Sequence, residues 1–281
     1  MKYITEKILD QVICKRPLNS HKGDYGKILL IAGSSQMGGA ALMATSATVH
    51  SGAGLVTCAT SATNKTALHT LIPEAMFLDY TDQAALVEKI SSADVIVVGP
   101  GLAQSQTTIE ILELLFLEIR PTTALIIDGT ALTLLAKYPK LQTQLPKCPL
   151  ILTPHQMEWQ RLSQIKITDQ KDPTKNQTVQ QKLHATVVLK KFQSEIYHQN
   201  GTISQLTIGG PYMATGGMGD TLTGVIAAFL GQFKQVERSL ALEAAVYLHS
   251  AVASELAQTR YVVLPTILSS QIPFFMARYS K

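Results

Sequence analysis

The chain has 281 residues, 46% of them apolar and 16% charged, with a net charge of +4. So much apolar sequence serves one large core and excludes a disordered chain. The small positive surplus is scattered, which excludes nucleic acid as the natural partner and suits a small anionic substrate.

Cys14, Cys58 and Cys148 are far apart and lack metal-ligand spacing, so they read as free, mostly buried thiols of a reducing compartment. The N-terminus has no signal-peptide core and no apolar run reaches bilayer length; the expected location is the cytoplasm, with no membrane partner.

In chain order, a short helix and a lead-in loop are expected up to about Ser20. The run Lys-Ile-Leu-Leu-Ile-Ala at 27–32 is apolar on both faces, as in a strand buried between helix layers. A glycine-rich loop at 33–39, a small-residue helix over 40–52 and a strand over 55–59 follow. Strands are then predicted at 94–98, 124–128, 150–152 and 186–189, each but the last followed by a loop and a helix. Asp172-Pro173 reads as a helix start, and Asn200-Gly201 as the turn of a hairpin pairing 194–199 with 202–206. The rest is a helix from about Thr221 to Phe229 and a long amphipathic helix over 235–258. This alternation predicts one α/β domain, a doubly wound, mostly parallel sheet covered by helices on both faces. Ligands in such sheets sit beyond the carboxyl ends of the strands, which draws attention to loops 33–40, 99–103, 128–133, 153–158, 190–194 and 209–220.

The richest stretch runs from Met213 to Leu230, Met-Ala-Thr-Gly-Gly-Met-Gly-Asp-Thr-Leu-Thr-Gly and then an apolar helix. Gly216, Gly217 and Gly219 leave backbone N–H groups uncovered, and the helix start attracts anions. Asp220, expected at the helix mouth, reads either as an N-cap or as a base taking a proton from a hydroxyl while the amides hold a phosphoryl group. A cap needs one acid and no cluster of glycines ahead of it, which favours the second reading.

Other motifs narrow the field. There is no Gly-x-x-x-x-Gly-Lys-Ser/Thr, Gly99-Pro-Gly101 lacks the third glycine of a dinucleotide fingerprint, and no His/Cys spacing suggests zinc. His155 ends a strand loop, where a substrate contact or a backbone-bonded structural role fits. Asp128 is open between capping the next helix and orienting a metal-bound water or a loop; Lys190 is open between a solvated lysine and a contact to nucleotide phosphates.

Taken together, His21-Lys-Gly-Asp-Tyr-Gly26, Ala32-Gly-Ser-Ser-Gln-Met-Gly-Gly-Ala-Ala41, Val97-Val-Gly-Pro-Gly-Leu102, Ile151-Leu-Thr-Pro-His155 with Glu158, and Ala214 to Gly224 resemble the ADP-dependent NAD(P)H-hydrate dehydratases of the ribokinase-like superfamily. The resemblance covers nearly the whole chain. It implies ADP-dependent dehydration of the S-form of hydrated NADH and NADPH, giving AMP and phosphate. It implies Asp220 as the catalytic base and the amides of Gly216, Gly217, Met218 and Gly219 as the anion hole. Ala40, Gly101, His155 and Asp220 would contact the hydrated nucleotide, Lys190 and Gly219 would line ADP, and Mg2+ would bridge the phosphates. A homotetramer and a separate epimerase chain are implied as well. The chain departs from the family pattern at Met37-Gly-Gly-Ala40, Asp128-Gly-Thr-Ala-Leu-Thr133, Lys191 and Gln156-Met157. Two other readings share the motif: a vitamin-precursor kinase of the same superfamily, and an adenylate-binding sensor without turnover.

Overall fold

The computed structural model describes residues 1–280. Its strands are β1 (Lys2–Ile4), β2 (Lys27–Ile31), β3 (Leu55–Thr60), β4 (Met76–Asp79), β5 (Val95–Val98), β6 (Ala124–Ile127), β7 (Leu150–Leu152), β8 (Thr186–Leu189), β9 (Glu195–Tyr197) and β10 (Ile203–Leu206). The first six helices are α1 (Lys7–Val12), α2 (Gly38–His50), α3 (Lys65–Leu71), α4 (Gln83–Ser92), α5 (Gln106–Glu118) and α6 (Gly129–Lys137). The others are α7 (Pro139–Thr143), α8 (Gln156–Ser163), α9 (Pro173–Lys182), α10 (Met218–Gln232), α11 (Arg238–Leu256) and α12 (Pro265–Ala277).

All ten strands form one sheet in the order β1-β10-β9-β8-β7-β6-β5-β2-β3-β4. Only β9 runs against the rest, through antiparallel pairs with β8 and β10. The apolar run at 27–31 is buried from Ile28 onward because it pairs in parallel with β3 on one side and β5 on the other. Helices cover both faces. Ala41, Val225, Leu248 and Leu268 pack on one face, and Leu86, Leu112, Leu134 and Trp159 on the other. Chain order along the sheet reverses between β5 and β2. The loops leaving these two strands therefore diverge to opposite faces and open a crevice at their carboxyl ends. Two backbone hydrogen bonds tie those loops together, Gly33 N–H to Pro100 O at 2.8 Å and Ser34 N–H to Gly101 O at 2.7 Å.

Several elements differ from the sequence reading. The sequence reading leaves out β1, α3, β4 and α4: β1 is three residues long, β4 is a partly exposed edge strand, α3 buries only Leu68, and α4 is missed although Leu86 and Ile90 mark its buried side. The helix expected over 235–258 is not amphipathic, since α11 is buried at every residue from Ala241 to Ser250. It carries Glu243 and His249 into the interior. Cys14 is exposed, whereas Cys58 is buried and Cys148 half-buried; all three are free.

Glu243 explains why β1 adds to the sheet. Its carboxylate lies 2.8 Å from the Lys2 ammonium and 3.1 Å from His198 Nε2, and it accepts a hydrogen bond from Ser204 Oγ. Burial alone would raise its pKa, but these bonds outweigh burial and hold it down at about 2. Glu243→Gln is therefore expected to cost about 2–3 kcal/mol at neutral pH, in the range for charge-assisted hydrogen bonds. Because the folded pKa is depressed, that cost should shrink as pH falls from about 4 toward 2. Urea melts of both proteins across this range check the magnitude and the sign.

Candidate active site

Three helix starts, those of α6, α8 and α10, meet the ends of β6, β7 and β8 at the carboxyl edge of the sheet. Gly217, with φ of +94°, makes the turn into α10, and a left-handed residue there favours glycine. The helix begins at Met218, three residues earlier than its apolar pattern suggests, so Asp220 sits inside the first turn rather than at the mouth. Asp220 makes no capping hydrogen bond, which removes the reading of this acid as an N-cap. Gly216 is exposed and open around its Cα. At Gly219 an added Cβ would come within 3.1 Å of Lys190 Nζ and 4.0 Å of Asp128 Oδ2. Glycine here lets the lysine reach the first amides of the helix.

Lys190 leaves the end of β8 and is anchored by its N–H to Pro154 O at 2.8 Å, beside an isolated bridge to His155. Its ammonium lies 2.7 Å from Asp128 Oδ1, with the two side chains 18% and 3% exposed. It is thus neither a free surface lysine nor unpaired. Burial opposes its charge, but Asp128, Glu158 and Asp220 outweigh that and hold it protonated. Asp128 stands at the N-cap position of α6 without capping it, and its carboxylate serves Lys190 instead.

Asp220 is half-buried, and its pKa is raised from 3.8 to about 6, first by burial and then by the charge of Asp128, with Lys190 acting in the opposite sense. A carboxyl with that pKa is a base matched to neutral pH. The folded protein holds this proton more tightly than the unfolded chain, so stability falls as pH rises from about 4 to about 6. Asp220→Asn is accordingly expected to gain about 1–2 kcal/mol of stability near pH 7.5 and nothing below about pH 4. A variant less stable than the parent at pH 7.5 would show that the acid serves the fold instead.

His155 has a structural task as well as an exposed ring. It is the N-cap of α8: its Nδ1 accepts from Met157 N–H at 3.1 Å and Glu158 N–H at 3.3 Å, while Glu158 Oε2 accepts from His155 N–H at 2.8 Å. Burial and the Lys190 charge lower the imidazole pKa. Burial lifts Glu158 to about 7, against the opposing pull of Lys190.

Ala40 and Gly101 meet at the crevice where strand order reverses. A Cβ on Gly101 would approach Ala40 Cβ to 2.6 Å and Met37 O to 2.5 Å. A Cβ on Gly99 would clash with Asp128 O at 1.9 Å, so the loops after β5 and β6 also touch.

A cavity of about 680 Å³ opens beside α10, and His155, Lys190, Lys191, Met218 and Gly219 line it. Of the other predicted site residues, Ala40, Gly101, Gly216, Gly217 and Asp220 are not in its wall; Asp220 stands one residue beyond Gly219, which is. Sequence reading flagged the loops that hold Phe192 and Met213 without giving either residue a role, and it passed over Ile208 and His249, which come from a strand end and a buried helix with no shared spacing. His249 hydrogen-bonds Thr221 Oγ1 at 3.0 Å and is kept neutral by burial, with a pKa of about 4. Lys191 lines the cavity, but its ammonium is 2.6 Å from Glu195, which is 4% exposed, so it is committed to that partner.

A larger cavity, about 990 Å³, lies at the opposite end of the sheet against Arg16, Tyr25 and Gln232. None of the predicted site residues lines it, and it sits at the amino ends of the strands, so we assign the chemistry to the smaller one. The motif at 21–26 belongs to this far end. Its tight turn packs against Gly54, where a Cβ would meet Lys22 O at 1.8 Å, and Gly26 packs against Gly231 of α10. These residues hold the fold rather than the reaction site.

A single doubly wound sheet with a glycine-led helix, an acid in its first turn and a lysine beside it defines the ribokinase-like class. A ribokinase-like protein of Enterococcus faecalis superposes with a TM-score of 0.93 at 43% identity, covering 100% of this chain and 96% of that one. The sequence profile of NAD(P)H-hydrate dehydratase matches residues 28–274, and the chain belongs to that family. It is 44% identical over 277 residues to the ADP-dependent (S)-NAD(P)H-hydrate dehydratase of Streptococcus thermophilus, covering 99% of each. The ADP/ATP-dependent NAD(P)H-hydrate dehydratase of Bacillus subtilis, crystallised with ATP and Mg2+, matches with a TM-score of 0.86 at 30% identity over 99% of both chains.

Proposed function

We propose that the protein restores NADH and NADPH from the S-form of their hydrates, consuming ADP and releasing AMP and phosphate. One observation carries this reading. Asp220, an acid tuned toward neutral pH, stands in the first turn of α10 beside Lys190 and the amides of Gly216, Gly217 and Gly219, while the fourth amide expected there, that of Met218, already donates to Thr215 O at 3.4 Å. As the ring hydroxyl attacks the β-phosphorus of ADP, Asp220 takes the hydroxyl proton. A new P–O bond forms and the bond to AMP breaks. The backbone amides and the Lys190 ammonium hold the charge on the transferred phosphoryl group. Phosphate then leaves the ring carbon, the neighbouring carbon loses a proton, and the double bond returns. Ala40, Gly101 and His155 would seat the hydrated nicotinamide, with Ala40 and Gly101 at the crevice and His155 at the cavity rim.

The residues present fit a Mg2+ ion carried on the phosphates. Among the described residues, no group of three or more His, Cys, Asp or Glu gathers to hold a metal by itself. Mg2+ prefers one or two carboxylates, waters and phosphates to an all-protein cage. The buried carboxyls of Asp128 and Glu158 are suited to such a role, and Glu158, held up at about 7, gains from a nearby cation. The ion would neutralise the phosphate charge during transfer.

Hydrated NADH mixed with ADP and the protein should regain the absorbance of the reduced nicotinamide. No recovery, or accumulation of a stable phosphorylated alcohol instead, would overturn the reading in favour of a kinase. We also propose a homotetramer, supported by Tyr261, Val262, Leu264 and Phe274, which leave apolar side chains exposed along the C-terminal segment. Light scattering checks it. No helix among the described residues is long and apolar enough to cross a membrane. We place the protein in the cytoplasm with its small-molecule substrates, and assign interconversion of the hydrate epimers to a separate epimerase.

A further inference from the structure

The loop between β8 and β9 is pinned on both sides. Lys190 N–H donates to Pro154 O at 2.8 Å, and Leu206 N–H to Ser194 O at 3.0 Å. Ser194 Oγ donates to Lys191 O at 3.2 Å, and the Lys191 ammonium is 2.6 Å from Glu195. Glu195 in turn accepts from Tyr197 O–H at 2.6 Å, and Tyr197 accepts from Asn176 Nδ2 at 2.9 Å, so the anchor reaches into the core. Between these anchors Phe192 points outward and is 72% exposed. Among the described residues it makes no contact with another ring or with a cation. A large aromatic held in water by a braced loop forgoes the burial that folding normally provides.

Phe192 nevertheless lies on the wall of the 680 Å³ cavity. That cavity has two unlike parts. Lys190 and Gly219 form a cationic, amide-rich end suited to phosphates, and Leu206, Ile208, Leu222 and Val246 form an apolar part. An aromatic side chain at the rim offers a flat face to whatever planar group is tethered to phosphates seated at the cationic end. We propose that Phe192 is the stacking platform for the purine of the nucleotide, and that it makes the site favour ADP over pyrimidine diphosphates. This rests on the reading that the cavity takes ADP. It assigns the nucleotide's base an aromatic partner on this chain's own loop.

The test uses AMP, UMP and inorganic pyrophosphate titrated calorimetrically into the parent, Phe192→Ala and Phe192→Tyr. Stacking on an aromatic side chain is worth about 1–3 kcal/mol per base, so Phe192→Ala should weaken AMP by roughly 5- to 150-fold. UMP should weaken less, pyrophosphate binding should not change, and Phe192→Tyr should retain AMP affinity within about threefold. In turnover with hydrated NADH, the loss should fall on KM for ADP and narrow the preference of ADP over UDP. Phe192 is 72% exposed and packs in no core, and the Tyr variant controls for any effect on folding.

Equal AMP affinity in Phe192→Ala and parent overturns the proposal. So does a parallel loss of AMP and pyrophosphate, which would mean that Phe192 shapes the loop rather than meeting the base. A change in oligomeric state with AMP affinity intact overturns it in favour of a subunit contact. If the parent binds AMP but restores no NADH, the dehydratase reading falls while the stacking result stands; if the parent binds no AMP, both fall.

Discussion

Replacing Asp220 with asparagine is expected to lower kcat by roughly 10²–10⁴-fold while AMP and ADP still bind, the usual worth of a positioned general base. The substitution keeps shape and removes only the ability to take a proton. Asp220 does not cap α10, so the fold does not depend on it for that purpose. The same carboxyl sets the pH response. With a pKa of about 6, raised first by burial and then by Asp128, it must be ionised to act. The parent's kcat/KM should therefore decline as pH drops through about 6, and the residual activity of Asp220→Asn should lack that limb. Steady-state rates from pH 5 to 8.5 with hydrated NADH and ADP measure both. An amide variant with near-parental rates would remove Asp220 from the chemistry.

The second large effect concerns the buried pair at the centre of the site. Lys190→Met leaves Asp128, which is 2% exposed, charged and without its partner 2.7 Å away. Breaking a buried pair on one side costs about 3–5 kcal/mol, so the single variant should melt at markedly lower urea. Adding Asp128→Asn removes the stranded charge and should recover most of that loss. Nucleotide affinity should not return with it. A charge-assisted bond to phosphate is worth about 1.5–3 kcal/mol, so AMP should bind roughly 10- to 150-fold more weakly in the single and the double variant alike. Recovery of AMP binding in the double variant would mean that Lys190 serves only the fold. A single variant as stable as the parent would mean that the ion pair is solvated and carries no weight.

The residues of this site differed in how openly they showed themselves. The stretch around Gly217 and Asp220 was legible because glycines before an apolar helix have few other uses. Its register was not, since the apolar pattern begins at Thr221 while the hydrogen-bonded helix begins at Met218. Lys190 and Asp128 each looked like ordinary strand-end residues, and their pairing spans 62 positions in the chain. His155 could be placed at a strand end, but its capping of α8 required knowing where Glu158 turns back to meet it. The motif at 21–26 misled in the opposite way. It marks the family, yet it packs the amino end of the sheet against Gly54 and Gly231, far from the reacting groups.

The amino-acid sequence by itself determined the alternation of buried strands and helices, the hairpin at Asn200-Gly201 and the family, and it singled out the acid proposed as the base, because each of these is written in local periodicity or in a run of neighbouring residues. Tertiary structure alone decided that β1 joins the sheet through Glu243, that α11 is enclosed, that Lys190 is held by Asp128, and that Phe192 waits at the rim of a cavity. Those outcomes depend on burial and on charges brought together from distant positions. A carboxylate's proton affinity or a phenylalanine's exposure is a property of what surrounds it, and only the packed chain supplies the surroundings.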